Sequence, residues 1–196
     1  MIIGCEETGT GVVVDPGGEP DRIIALLQKY RLQAVYLLHT HAHIDHIGAT
    51  EAVRVQTGAS AALHEDDMFL VRNMQGQATF FSLPSPGIPH IDRLIKQDDT
   101  LPFGQHKVDV VHTPGHTPGS VSFFVPTLGL LTGDTLFCGS IGRTDLWGGS
   151  YPTLLDSIKQ KLFSFPDETR VYPGHGPSTT IGDEKQWNPF VGGEIL

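Results

Sequence analysis

The 196-residue chain contains only two cysteines, Cys5 and Cys138. That is too few for the disulfide framework of a small secreted domain, and their placement matches no zinc knuckle. Basic residues are also scarce. Thirteen Lys and Arg against 22 Asp and Glu give a formal charge of −9, which excludes a general electrostatic grip on DNA or RNA. No apolar run approaches the roughly 18 residues a membrane-spanning helix needs. The opening MIIGCEETG has acids at Glu6 and Glu7 and no apolar leader segment, so neither a membrane anchor nor a secretory signal is expected. The expectation is therefore a single soluble domain over residues 1–196, cytoplasmic, with no nucleic-acid or membrane partner. What the chain does have is histidine: ten residues, nearly as many as lysine and arginine together.

Short apolar or β-branched runs, each closed by a polar or glycine-rich turn, predict strands at Gly11–Val14, Ala34–Leu38, Ser60–His64, Lys107–His112, Ser120–Val125, Gly129–Leu131 and Arg170–Tyr172. Several lack clean alternation and are expected to be buried on both faces. Helical spacing of apolar residues predicts helices over Pro20–Tyr30, residues 46–57 and Pro152–Phe163. Hairpin-like neighbours such as Ser120–Val125 and Gly129–Leu131 interrupt a βαβ alternation. The expected class is thus α/β, with two sheets covered by helices rather than one doubly wound sheet. The stretch Asp66–Thr100, with Pro84, Pro86, Gly87 and Pro89, reads as a long surface connection beside a site. A strand followed by a histidine-bearing loop recurs at Thr40, Thr113 and Pro173, so several strand ends are expected to meet on one rim.

Residues 40–46 read T-H-A-H-I-D-H directly after an apolar run. In an extended segment His41 and His43 point alike, and Asp45 and His46 turn away as a helix begins. One histidine in such a place would be an ordinary polar turn residue, and Asp45 alone a helix cap. Three histidines and an aspartate within six residues point to metal binding instead. Thr113–Gly119 holds His116 in a Pro/Gly turn, Leu131–Asp134 places a carboxylate at another strand end, and Tyr172–Pro177 repeats the Pro-Gly-His arrangement. Imidazoles and carboxylates without a thiolate suit zinc, iron(II) or manganese. His39, His64, His90, His106 and His112 read as structural or surface residues, and Cys138 as a small buried side chain. Arg143 and Asp145 read as an ion pair in a turn, with a pocket role for Arg143 toward an anionic substrate as the alternative.

These segments carry a resemblance. V-V-V-D-P-G-G at 12–18, T-H-A-H-I-D-H at 40–46, T-P-G-H-T-P-G-S at 113–120, T-G-D-T-L-F at 132–137, G-S-I-G-R-T-D at 139–145 and Y-P-G-H-G-P at 172–177 resemble the metallo-β-lactamase superfamily. Within it they resemble the glyoxalase II-like hydroxyacylglutathione hydrolases, in the short bacterial form without a C-terminal helical domain. The resemblance implies a four-layer αβ/βα sandwich of two mixed sheets, with two divalent metal ions at one edge. It implies that His41, His43 and His116 bind the first ion, that Asp45, His46 and His175 bind the second, and that Asp134 bridges. Zinc is the expected metal, with iron or manganese as alternatives. Asp45 and Asp134 are the implied catalytic carboxylates, and Asp15 lies behind the metal histidines. The family normally has a longer first strand before the segment matching Ile2–Gly4. An uncovered sheet edge there invites pairing with another subunit, so a homo-oligomer is a further expectation.

The implied reaction is hydrolysis of a small thioester, S-D-lactoylglutathione or a related hydroxyacylglutathione, by a hydroxide shared between the metals. A thiolate departs without prior protonation, and no general acid with an evident placement is present. In many β-lactamases of the superfamily the position matching Asp134 is a cysteine or lacks a ligand, which sets lactam hydrolysis apart from this chain. Persulfide dioxygenases share G-R-T-D (142–145) and a tail like T-I-G-D-E-K…N-P. They use one iron, which by position His41, His116 and Asp134 would hold, yet Gly176-Pro177 stands where they usually carry Asp-Tyr. That enzyme is the alternative, and a metal-binding protein without catalysis is the third reading.

Overall fold

Val12, Val13 and Val14 are all buried, and their surroundings show why the strands do not alternate apolar with polar. Val12 and Val14 face a core shared by two sheets, whereas Val13 faces helices on the outside of its own sheet. A strand covered on both faces has no polar side to display. The structure, a computed structural model, describes residues 1–193. The last three residues of the tail over 183–196 lie outside the described part.

The first half of the chain supplies the first sheet. β1 (Ile2–Cys5) and β2 (Thr10–Val14) form an antiparallel hairpin. α1 (Pro20–Lys29) then crosses to β3 (Gln33–Leu38), which runs parallel to β2. After α2 (Ile44–Ile47) and α3 (Thr50–Thr57) comes β4 (Ser60–His64), parallel to β3. α4 (Met68–Arg72) and α5 (Met74–Phe80) precede β5 (Arg93–Ile95), which closes the sheet in the order β1-β2-β3-β4-β5.

The second half supplies the second sheet. β6 (Thr100–Phe103), β7 (His106–His112), β8 (Val121–Val125) and β9 (Gly129–Gly133) form an antiparallel meander. A short hairpin, β10 (Leu136–Phe137) and β11 (Ser140–Ile141), leads to α6 (Tyr151–Gln160). β12 (Arg170–Pro173) adds parallel to β9, followed by β13 (Thr179–Thr180) and α7 (Ile181–Trp187). The order is β13-β12-β9-β8-β7-β6.

Both sheets are mixed, and they face each other through Val12, Val14, Leu38 and Ala62 on one side and Phe103, Val110, Phe123 and Leu131 on the other. Leu27 of α1 and Val53 of α3 cover the outer face of the first sheet. Leu154 and Ile158 of α6, with Ile181 of α7, cover the second. The result is the helix–sheet–sheet–helix sandwich expected from the residues.

Two expectations change. The helix predicted over residues 46–57 is two helices, broken at Gly48–Ala49. There the Ala49 amide donates to Pro16 O at 2.8 Å, so the backbone leaves its own helix to hold the Asp15–Gly17 turn. The stretch Asp66–Thr100 is not one loop. Leu70, Val71, Met74 and Ala78 are buried against Ile44, Ile47 and Leu63, which orders α4 and α5 and leaves residues 83–92 as coil. These helices span five and seven residues, too short for their periodicity to stand out. Beyond these, the start of the C-terminal tail is α7. Its Glu184 is buried and accepts from the Gly139 amide at 2.9 Å and from Asn188 Nδ2 at 2.7 Å.

The core between the sheets makes a direct prediction. Phe123 is fully buried there, so Phe123→Ala should cost about 3–5 kcal/mol of stability in urea denaturation. Val55→Ala, at a side chain 71% exposed, should change it by less than about 0.5 kcal/mol.

Candidate metal centre

Parallel pairing brings the strand ends together. Val14 of β2 pairs with Leu38 of β3, and Leu38 with Ala62 of β4. Asp15 and the His39–His43 segment therefore leave one rim side by side. In the second sheet Pro173 pairs with Gly133, which sets His175 beside Asp134. β7 ends at the same rim and delivers His116 through its Pro/Gly turn. Glycine is required where the backbone passes the site. A Cβ on Gly174 would strike Asp134 Oδ1 and lie 2.7 Å from His46 Cε1.

The seven side chains His41, His43, Asp45, His46, His116, Asp134 and His175 meet in one cluster. Their ligand atoms form three overlapping groups, each within 4.8 Å: His41–His43–His116, His41–His46–Asp134 and Asp45–His46–His175. His43 Nδ1 stands 2.9 Å from His116 Nε2, and His46 Nε2 stands 3.4 Å from His175 Nε2. Two nitrogens on one tetrahedral cation, each bonded at about 2.0–2.1 Å, lie about 3.3 Å apart, so these spacings suit shared coordination. Asp134 faces both sides, with Oδ1 3.4 Å from His46 and Oδ2 3.8 Å from both His116 and His175. His41 Nε2 and Asp134 Oδ1 are buried with no hydrogen-bond partner. Such orphaned polar atoms are costly unless something binds them. The donor set fits a divalent cation.

The surrounding hydrogen bonds aim the imidazoles. Asp15, at a left-handed φ of 50°, accepts from the Thr40 amide and the Thr40 hydroxyl at 2.7 Å each and from His46 Nδ1 at 3.0 Å. Because Thr40 Oγ1 gives its proton to Asp15, it can accept from His41 Nδ1, 3.1 Å away. Both His41 and His46 thereby turn Nε2 toward the cluster. His116 Nδ1 donates to Arg143 O at 2.7 Å, which leaves its Nε2 lone pair free. Burial holds His41 well below the ordinary imidazole pKa and, with the nearby His116, brings His43 to about 3. Burial also lowers His116. His46 is the exception: burial opposes its charge, but Asp15, Asp134 and Asp45 override that and raise it to about 9. Burial raises the Asp134 pKa, while for Asp15 it is outweighed by His46 and the Thr40 hydrogen bonds, which lower it.

Two positioning residues escaped the sequence reading. Asp67 follows β4 as Asp15 follows β2, but it lies within a run of three acids, Glu65–Asp67, that looks like a solvated turn. It is buried, and its carboxylate accepts from the Ala42 amide (2.9 Å), Thr117 Oγ1 (2.8 Å) and the Gly119 amide (2.7 Å). The loop of His41 and His43 is thus tied to the turn of His116. Burial lifts the Asp67 pKa to about 6. Gln77 of α5 accepts from the Ile44 amide and donates to Ala42 O, both at 3.0 Å.

Arg143 contributes its backbone carbonyl to the centre. Its exposed guanidinium forks onto Asp145 at 2.7 and 2.8 Å, as the ion-pair reading expected. His39 is a core residue bonded to Ala62 O and Thr50 Oγ1, and His64 stacks on His112 away from the cluster. Cys138 is exposed rather than buried, because it lies in the turn of the β10–β11 hairpin.

The comparisons agree on one family. The family model for the metallo-beta-lactamase superfamily matches residues 2–175. The chain is 40% identical over 188 residues to the probable metallo-hydrolase YqgX of Bacillus subtilis, covering 94% of this chain and 89% of that protein. It is 38% identical over 189 residues to the hydroxyacylglutathione hydrolase GloC of Haemophilus influenzae, covering 95% and 89%. Among solved structures it resembles the BLEG-1 B3 metallo-beta-lactamase (TM-score 0.90, 38% identity, 98% of this chain and 93% of that one). TTHA1623 in a di-iron-bound form gives a TM-score of 0.88 at 39% identity, covering 97% and 93%. ETHE1 from Myxococcus xanthus gives 0.81 at 32%, covering 97% and 77%.

The metal-free cluster makes two predictions. At pH 7 His46 carries a proton while His41 and His43 are neutral. Zinc titrated into metal-free protein in weak buffer should therefore release a proton from His46, and His46→Ala should lower the total release by about one proton per chain. Asp67→Ala leaves three buried donors without their acceptor and should cost more than about 3 kcal/mol in thermal or urea unfolding. Its metal affinity should fall about 10–100-fold, as measured by competition with a chelator.

Proposed function

The chain belongs to the metallo-β-lactamase superfamily, and from that premise we propose that it is a binuclear metal-dependent hydrolase of small glutathione thioesters such as S-D-lactoylglutathione. The observation that carries this reading is the place of Asp134, whose carboxylate lies within 3.8 Å of His116 from one group of imidazoles and of His46 and His175 from the other, with Oδ1 buried without a partner. His41, His43 and His116 would hold one ion, Asp45, His46 and His175 the other, and Asp134 would join them. Two divalent cations bound there supply an activated water near neutral pH and polarise a carbonyl oxygen.

The chain's own residues do the rest. Asp15, Thr40 and Arg143 O hold the imidazole tautomers, so no ligand has to reorganise during the reaction. Asp45, half-exposed at the mouth and 3.3 Å from His175, is placed to accept a proton from a water on the solvent side and orient it. A thioester asks for no general acid, because the thiolate leaves unprotonated. The relative named hydroxyacylglutathione hydrolase supports the substrate class. The di-iron-bound structure makes iron a candidate beside zinc, with manganese also suited to these ligands.

A second reading is favoured by the likeness to ETHE1 and by the shared G-R-T-D segment: a persulfide dioxygenase with one iron. Against it stands the number of converging ligands, which exceeds what one ion with open positions requires. Native metal content, hydrolysis of S-lactoylglutathione, hydrolysis of a cephalosporin and oxygen uptake with glutathione persulfide separate the readings. Thioester turnover with two metals per chain is expected. Oxygen uptake with one iron, or turnover of the lactam alone, would overturn it. Asp134→Ala and His43→Ala should each lower thioester turnover at least about 100-fold with the far-UV circular dichroism unchanged.

A further inference from the structure

Beside His43 the rim of the site is aromatic. Trp147 stands with its ring centroid 6.3 Å from that of His43, Phe80 lies 5.2 Å from Trp147, and Phe81 packs edge-on against Phe80 at 5.0 Å. Phe80 is 61% exposed, a large apolar surface to leave in water beside a cluster of charged and polar side chains.

The wall is held in register with the metal ligands. The segment carrying Trp147 is anchored on both sides of that residue, by the Arg143 carbonyl that accepts from the His116 ring and by the Ser150 amide that donates to Gly115 O at 2.8 Å. α5, which ends at Phe80, is fastened by Gln77 to the backbone of Ala42 and Ile44. Aromatic surface fixed in this way against a reacting centre is preorganised for a ligand, and the cost of ordering it has been met on folding.

We propose that Trp147, Phe80 and Phe81 form an acyl subsite, and that the substrates extend beyond hydroxyacyl groups to thioesters with apolar alkyl or aryl acyl chains. This rests on the thioesterase reading. With the carbonyl at the metal cluster, the acyl chain runs over Trp147 and then Phe80, while the polar thiol portion lies toward Asp45 and the Arg143–Asp145 side. No bond is made by these rings; they select the chain by burying it.

The test is a series of glutathione thioesters from acetyl through butyryl to hexanoyl, with phenylacetyl added. Each methylene should raise kcat/KM about two- to fourfold until the wall is covered. In Trp147→Ala, and in Phe80→Ala where the exposed side chain bears little of the fold, the hexanoyl-to-acetyl ratio should fall toward one. A binding readout that needs no turnover uses Trp187→Phe, which leaves Trp147 as the one indole. Its emission should shift on adding S-alkylglutathione thioethers, with affinity rising with alkyl length. Hydrolysis of the short thioesters with a flat chain-length profile would overturn the subsite and leave the thioesterase reading standing. If no thioester is hydrolysed, the thioesterase reading falls and takes the acyl subsite with it; if the short thioesters are hydrolysed but the emission shows no length-dependent binding, the subsite alone is overturned.

Discussion

The centre depends on one largely buried carboxylate. Asp15 accepts from the backbone and hydroxyl of Thr40 and from the His46 ring, and through Thr40 it also sets His41. Neutral imidazole has two tautomers, only one of which offers Nε2 as a lone pair. A single acceptor behind two imidazoles therefore decides what the cluster can coordinate. The arrangement strains the chain, because Asp15 sits at a positive φ that a residue with a Cβ rarely adopts. The turn survives since the Asp15 amide donates to Leu38 O and the Pro16 carbonyl accepts from Ala49. The same contact that breaks the predicted helix at Gly48–Ala49 thus helps to hold the carboxylate in place.

Asp67 plays the corresponding part between the sheets. The first sheet carries His41 and His43, the second carries His116, and without a tie their separation would be set by core packing alone. One carboxylate that bonds to both loops couples them directly. Burial of this group is unfavourable for its charge, as its raised pKa shows, and three hydrogen bonds offset that cost. Gln77 adds a third anchor from α5. The loops at the rim are therefore clamped from behind by groups that never reach the solvent side of the cluster.

Electrostatics divides the cluster unevenly. His41, His43 and His116 crowd one another and are disposed to stay neutral, whereas His46 is charged by the carboxylates around it. In the metal-free protein this charge offsets part of the repulsion among Asp15, Asp45 and Asp134. A cation replacing that proton takes over the same role with greater charge, which explains how so many acids and imidazoles can be held together before and after loading.

The seven clustered side chains and the main strands were legible in the sequence because both leave local marks. Short-range spacing at His41–His46 and Pro-Gly-His turns after apolar runs can be read without knowing what lies across the fold. The two sheets could be expected because hairpins interrupt the helix–strand alternation. What the sequence alone could not show were α4, α5 and α7, short elements ordered by burial of Leu70, Met74 and Ile181 against distant partners, nor the exposure of Cys138. Asp67 was hidden among acidic neighbours, and Trp147 gave no sign that it would stand beside His43. Which side chains could serve as ligands is a property of residue type and local spacing, and the chain carries that alone. Which tautomer each histidine presents, which carboxylate braces it and which rings line its mouth depend on contacts between residues 25 to 104 positions apart, and only the folded sheets bring those within hydrogen-bonding or van der Waals reach.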